Sequence, residues 1–277
     1  MNLDDSHSGK LESYLPRGNK QLSPSRMPGD TRQIVSIAKI TSPKSSGVLP
    51  RKRLFRRLDT LSESPVIWIS APAGSGKTSL VASYVANKNM PCLWYRVDEG
   101  DADIATFFYY MGLAAKKAAP EAQKPLPLFT PEYLQGIPAF TLRYFEELYG
   151  CLKPPFVIVL DNYQHIQNCP QINETVARGL DVVPEGINIV IISREDPPPQ
   201  FARLRAGEGI SFLGKDEILF TIDESRRMMR LKGFRDLNEG MIRRLHERTL
   251  GWAAGLVLIM EKARRPLEKM MEIGRGD

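Results

Sequence analysis

The sequence predicts an α/β chain in which a five-stranded parallel sheet is layered with helices and followed by a small all-helical part. Two observations predict this. Short, nearly all-apolar segments alternate with helical patterns up to about residue 220, and strands apolar on both faces belong to parallel sheets covered on both sides. Beyond that point no strand pattern returns, and apolar residues recur at helical spacing to about residue 265.

The elements follow in order. Residues 1–33 are rich in Ser, Pro, Gly, Asn and charge, too poor in apolar surface to offset the ordering entropy, and read as a disordered tail. Leu54, Leu58 and Leu61 then recur at helical spacing, with Pro50 near the start of the helix. "PVIWIS" is a buried strand, and a helix is expected from about Lys77 to Asn87. "PCLWYRV" is a second strand and "DADIATFFYYMGLAAKKAA" a helix. The Pro-rich "APEAQKPLPLFTPEY" is a surface loop. A helix over Ala139 to Cys151, the strand "PFVIVLD", a helix near 171–182 and the strand "INIVIIS" come next. A short helix and a last strand fall within 200–220. Thr221 and Glu224 have capping-box spacing and open the helical part. The expected division is a tail over 1–33, an α/β domain over 34–220 and a helical domain over 221–277.

Charge and cysteine content narrow the class. Residues 1–60 hold 12 Lys/Arg against 5 Asp/Glu, whereas residues 61–277 hold 26 against 27, so the net charge of +6 belongs to the N-terminal arm. A nucleic-acid groove needs basic residues gathered on the folded surface, and the composition of the body does not call for one. The "RKRLFRR" run reads as a solvated helix face whose Leu/Phe side docks on the domain. No apolar run reaches the roughly 18–20 residues that span a bilayer. Cys92, Cys151 and Cys169 have no metal-ligand spacing, and neither do His7, His165 and His246; a reducing cytoplasm is the expected compartment.

The informative stretch is "APAGSGKT", Ala71 to Thr78. It matches the Walker A phosphate-loop pattern, with alanine in place of the first glycine, and sits between a strand and a helix as that motif requires. Gly74 and Gly76 let the backbone turn its N–H groups toward phosphate oxygens, and the following helix adds the partial positive charge of its N-terminus. Ala71, Pro72, Ala73, Gly74, Ser75, Gly76, Lys77, Thr78 and Ser79 are the expected nucleotide contacts. Lys77 neutralises phosphate, and the Thr78 hydroxyl is a ligand for Mg²⁺. Asp161, closing the strand "FVIVLD", is the expected second Mg²⁺-holding group. A strand and helix separate these two motifs, which resembles the additional-strand branch of P-loop ATPases. In that branch the fourth strand lies between the first and third, and Ser193 and Arg194 at its end would face the γ-phosphate. The alternative for Arg194 is an ion pair with Glu195 or Asp196.

Taken together, "SAPAGSGKTSLVASY", "LWYRVDEGDADIATFFYYM", "VLDNYQHI", "IVIISREDPP", "FARLRAGEGI", "LFTIDESRRMM" and "LHERTLGWAAGLVLI" resemble, in this order, the ATPase module of MalT-type regulators. These are STAND-class signal-transduction ATPases, many of them LuxR-type transcription factors, and the resemblance covers roughly residues 40 to 265. It implies an ATP- and inducer-dependent open state that self-associates, a closed ADP state, and a helical lid over the nucleotide. By resemblance, Arg51 falls near the adenine or ribose. "GWAAGL" falls in the lid, where Leu250, Trp252 and Leu256 could equally be helix core, and Trp252 is expected to pack as core.

One departure bears on rate. Relatives often carry a second acid after the Walker B aspartate; here Asn162 stands there. An amide orients water but is a poor base, so slow hydrolysis is expected, with Asp98, Glu99 and Asp101 as substitute acids or a plain acidic loop. The relatives also continue into repeat and DNA-binding domains, which leaves a gene fragment and a self-standing ATPase both open; no recognition helix is visible in residues 1–277. Two other functions stay open: a phosphotransferase using Arg226, Arg227, Arg243 or Arg244, and a scaffold that holds ATP without turnover. The inducer or protein partner is not legible.

Overall fold

The computed structural model describes residues 38–122 and 124–273, with side chains as far as residue 263; the tail expected over 1–33 lies outside the described residues. Five strands form one parallel sheet: β1 (Val66–Ser70), β2 (Cys92–Arg96), β3 (Phe156–Asp161), β4 (Ile187–Ser193) and β5 (Ile210–Leu213), in the order β2-β3-β4-β1-β5. The fourth strand thus lies between the third and the first, as the resemblance to the additional-strand branch implies. All six residues of β3 are buried, which is what a strand covered on both faces requires.

The helices that cover the sheet are α1 (Lys52–Leu61), α2 (Lys77–Lys88), α3 (Ile104–Ala118), α4 (Ile137–Gly150), α5 (Pro170–Leu180), and the short α6 (Ala202–Ala206) and α7 (Lys215–Ile218). Two apolar clusters divide the work. On one face Trp68, Tyr95, Phe107, Tyr144 and Tyr163 meet α3, α4 and α5. On the other, Ile67, Ile69, Val159 and Ile192 meet α1 and α2 through Leu54, Leu58 and Leu80. Alternate residues of β1 therefore feed opposite layers, as the two-residue strand period demands. Helix α1 starts at Lys52, two residues after Pro50, and buries Phe55 in addition to its three leucines.

Local signals account for the helix starts. Asp103 accepts from the Thr106 amide at 2.8 Å and caps α3. The capping box forms as its spacing predicts: Glu224 N donates to Thr221 Oγ1 at 3.2 Å, and Thr221 N donates to Glu224 Oε2 at 3.1 Å. This starts α8 (Ile222–Leu231), followed by α9 (Glu239–Thr249) and α10 (Ala253–Ile273). These three helices share a cluster of their own, with Met229, Ile242, Leu256 and Met260 buried beside Leu49 and Phe220. Among the described residues no helix is long and apolar enough to cross a membrane.

Candidate nucleotide-binding site

Sheet order builds the site. Strands β3, β4 and β1 are neighbours in parallel register, with Ser70 opposite Ser193 and Asp161 opposite Ile192. Their carboxyl ends therefore set Asp161, Arg194 and the loop after Ser70 side by side, the position where open α/β sheets bind ligands. A cavity of about 250 Å³ opens there, lined by Gly74, Lys77, Thr78, Asn162, Gln164 and Arg194 among others.

The loop has the conformation its glycines predict. Gly74 and Gly76 have φ of +72° and +88°, a region costly for residues with a Cβ, and Gly76 hands the chain into α2. Ala71 and Ser75 are buried, and Pro72 and Ala73 are exposed. Lys77 folds back over the loop: its Nζ donates to Ala71 O, and to Pro72 O at 3.0 Å. Burial lowers the pKa of this ammonium to about 8, the nearby Arg194 charge pushes the same way, and Asp161 opposes both. A buried cation held by two carbonyl groups and, at 3.5 Å, the Ser75 hydroxyl, with another cation nearby, is suited to an anion.

Thr78 Oγ1 donates to Asp161 Oδ1 at 2.9 Å, while Asp161 Oδ2 is buried with no hydrogen-bond partner among the described residues. Burial raises the carboxyl pKa, against the Thr78 hydrogen bond and the Arg96 and Lys77 charges. A hydroxyl next to a half-satisfied buried carboxylate is the hard oxygen donor set that Mg²⁺ takes beside phosphate, so the residues present fit that ion. Arg194 lines the cavity and, among the described residues, makes no ion pair with Glu195 or Asp196. Its turn is held by others: Ser193 Oγ donates to Gln167 Oε1 at 2.9 Å, Gln167 Nε2 donates to Asp196 O, and Trp68 Nε1 donates to Glu195 O at 2.9 Å.

Asn162 has φ of +66°, a left-handed geometry that asparagine tolerates better than most residues with a Cβ, and it lines the cavity. The acidic loop has a different employment. Asp101 is buried, accepts from Tyr95 Oη at 2.7 Å and pairs with Lys39 at 2.8 Å, and Asp98 caps the turn that contains it. Neither they nor Glu99 line the cavity.

A second, mostly apolar cavity of about 380 Å³ adjoins the loop at Gly74, Gly76 and Ser79 and is lined by Val48, Leu49, Arg51, Phe220, Met228 and Val257 among others. Arg51 lines this cavity, and its guanidinium is engaged except at Nη1, which is buried without a hydrogen-bond partner among the described residues. Nε and Nη2 donate to Glu224 at 3.2 and 2.8 Å, Nη2 also donates to Leu219 O at 3.0 Å, and the group stacks 4.7 Å from the Phe220 ring centroid. Arg51 thus clamps the start of α1 to the start of α8.

The expected core packing of "GWAAGL" holds for Leu256, which is buried, and fails for its neighbours. Leu250 is exposed and left-handed at φ +49°. Trp252 is 40% exposed and its indole N–H donates to Ala73 O at 3.0 Å, while Ala254 N donates to Gly74 O at 2.9 Å. The helical part thus sits directly on the phosphate loop. Periodicity does not reveal this, because Trp252 precedes α10 and belongs to no helical face. Gln164 was also missed: an amide one turn beyond Asp161 carries no motif.

No protein-family model matches the chain. It is 30% identical over 217 residues to the HTH-type transcriptional regulator MalT of Cronobacter sakazakii, covering 78% of this chain and 24% of that protein. To the MalT regulator of Klebsiella pneumoniae strain 342 it is 28% identical over the same shares. The chain therefore spans about a quarter of the length of these relatives. Among solved structures, the ORC1 protein of Aeropyrum pernix, determined in complex with DNA, aligns with a TM-score of 0.50 at 14% identity over 86% of this chain and 64% of that one, a likeness of fold alone. Over that quarter of their length, the chain is a homologue of the MalT-type transcriptional regulators, built on the P-loop NTPase fold.

Proposed function

We propose that this chain is an ATP-binding, slowly hydrolysing switch module of a MalT-type regulator, with ATP and Mg²⁺ as its ligands. The observation that carries the reading is the convergence of Lys77, Thr78 and Arg194 on one cavity at the ends of three adjacent strands, with Asp161 bonded to Thr78. Lys77 would leave the loop carbonyls to neutralise the β- and γ-phosphates. Thr78 and Asp161 would hold Mg²⁺, which supplies charge neutralisation on the phosphate oxygens. Arg194 would report the γ-phosphate, the loop Ala71–Ser79 would cradle the chain of phosphates, and the cavity beside Arg51 would take the base.

Slow turnover follows from Asn162, since among the described residues no carboxylate lines the cavity, and Asp161 beside it is bonded to Thr78. The seating of Trp252 and Ala254 on the loop supports a closed, resting form. ATP would release it toward self-association, with an inducer or protein partner setting the balance. The cytoplasm is the proposed compartment, in line with three free cysteines, and the DNA-directed role named in the relatives is proposed only for the longer protein. The phosphotransferase reading loses support: Arg226 pairs with Asp223 and Glu239, Arg227 donates to Pro50 O, and no lid arginine lines the phosphate cavity.

Calorimetric titration of the purified chain with ATP in Mg²⁺ tests the reading. Binding should be lost in Lys77→Ala, and free phosphate should appear more slowly than about 1 per second. Equal ATP affinity in wild type and Lys77→Ala would overturn it. Particle mass measured in ATP and in ADP separates a switch, which changes association state, from a passive scaffold.

A further inference from the structure

We propose that Gln164 is a second reader of the terminal phosphate, acting beside Arg194; this rests on the nucleotide reading above. Gln164 sits in the short turn Tyr163–His165, directly after Asn162. The turn is pinned from below. Tyr163 is wholly buried, its hydroxyl donates to Asn173 Oδ1 at 2.8 Å, and its ring meets Trp68 and Phe201 edge-on. The Gln164 side chain is thereby presented to the phosphate cavity, which it lines together with Lys77, Thr78 and Arg194.

Its amide is the informative part. Both Oε1 and Nε2 are buried, and neither has a partner among the described residues. Gln167, one turn further on, shows the ordinary outcome, with its oxygen taken by Ser193 and its nitrogen by Asp196. A buried primary amide without partners is costly, and native structures keep few of them. One that borders an anion cavity has a use: its N–H₂ donates to a phosphate oxygen while its carbonyl accepts from a water.

Placement selects which phosphate. The cavity has one wall from the loop Ala73–Ser79 and one from the ends of β3 and β4, namely Asn162, Gln164 and Arg194. The loop wall serves the phosphate nearest the α2 N-terminus. The strand-end wall is left for the next group along, which a triphosphate has and a diphosphate lacks. Gln164 therefore discriminates ATP from ADP, and with Asn162 it orients water without being able to deprotonate it.

The test is calorimetric binding to the full chain of an imido-bridged, non-hydrolysable ATP analogue and of ADP, both with Mg²⁺. Gln164→Met, close in shape, and Gln164→Leu should lose about tenfold or more in affinity for the triphosphate and stay within about twofold for ADP. Gln164→Glu should lose more, because its carboxylate faces the γ-phosphate. Thermal melts establish that each variant is folded, and Gln164→Met carries the comparison if the leucine variant is not. Equal losses for both nucleotides, or no loss for either, overturn the proposal. Lys77→Ala is run in parallel: unchanged affinity for both nucleotides there sinks the phosphate-site reading itself, a result distinct from any seen at Gln164.

Discussion

The indole nitrogen of Trp252 donates to the carbonyl oxygen of Ala73 across 3.0 Å, joining residues 179 positions apart. The other two tryptophans, Trp68 and Trp94, are buried, so Trp252 is the solvent-exposed indole. Its emission should report movement of the lid. Adding Mg·ATP to wild-type protein is expected to shift or quench the tryptophan signal, and Trp252→Phe should abolish that response. A response that persists in the variant would place the reporting event elsewhere.

Close approach at two glycines makes a second prediction. A Cβ on Gly74 would stand 2.6 Å from Ala254 Cβ, and one on Gly251 would stand 2.5 Å from Phe220 O, both at positive φ. Gly74→Ala and Gly251→Ala should each cost about 1–2 kcal/mol from the left-handed backbone alone, with the clash added. Gly240→Ala, in helix α9 with its nearest neighbour at 3.4 Å, should cost nothing. Melting temperatures of the three variants check the contrast.

The lowered pKa of Lys77 couples ligand binding to protons. With its pKa at about 8 in the free protein, part of the population is neutral at pH 8, and a bound polyphosphate favours the charged form. Binding of ATP near pH 8 should therefore take up a fraction of a proton, less at pH 6.5 where Lys77 is already charged. Calorimetry in buffers of different ionisation enthalpy reads the uptake directly, and release in place of uptake would reverse the assignment.

Asp161 should matter for the metal more than for the fold. Its Oδ2 has no hydrogen-bond partner among the described residues and burial already raises its pKa, so Asp161→Asn removes an awkward buried charge. Expected are an unchanged or higher melting temperature and a large fall in the Mg²⁺ dependence of ATP affinity. In wild type, chelation by EDTA should weaken ATP binding; in Asp161→Asn it should change little.

The buried clamp between Arg51 and Glu224 predicts an asymmetry. Burial works to raise the glutamate pKa, but hydrogen bonding and charge from Arg51, helped by Arg53, outweigh it and hold it low. A depressed carboxylate contributes stability that is present above its ordinary range and is lost as pH falls through the folded-state value. Arg51→Met leaves Glu224 with Arg53 at 3.2 Å and the Thr221 amide, so the cost should fall below the about 3–5 kcal/mol of a fully stranded buried charge, and Arg51→Met with Glu224→Leu should recover part of it. Urea melts at pH 7 and pH 4 measure both effects, and the difference between wild type and Arg51→Met should shrink at the lower pH.

What was readable in the sequence follows physical range. The strands "PVIWIS", "FVIVLD" and "INIVIIS" announce themselves because burial on both faces leaves almost no polar residue in them. Of the order β2-β3-β4-β1-β5, the place of β4 between β3 and β1 follows from the resemblance to the additional-strand branch, and the places of the outer strands β2 and β5 do not. The phosphate loop was legible because glycine is needed where φ is positive. Tertiary partnerships were not. Nothing local to Arg51 says that Glu224 will occupy its guanidinium, and nothing local to Gln164 says that its amide will be left bare. Trp252 was misjudged since an aromatic near a helix is usually core, and only the docking of α10 on the loop overrides that tendency.

The sheet order also has a kinetic side. Strand β1 pairs with β4 and β5, so Val66 waits for Ile189 and Ile210. A ribosome adding about 5–20 residues per second needs roughly 7–30 seconds to travel from the end of β1 to β5. Until β4 emerges, a strand whose first four residues become fully buried has neither neighbour, and until β5 follows it has only one. Nascent chains of this protein should accordingly be chaperone clients until residue 213 has emerged, and truncation before β5 should yield aggregates rather than a smaller folded domain.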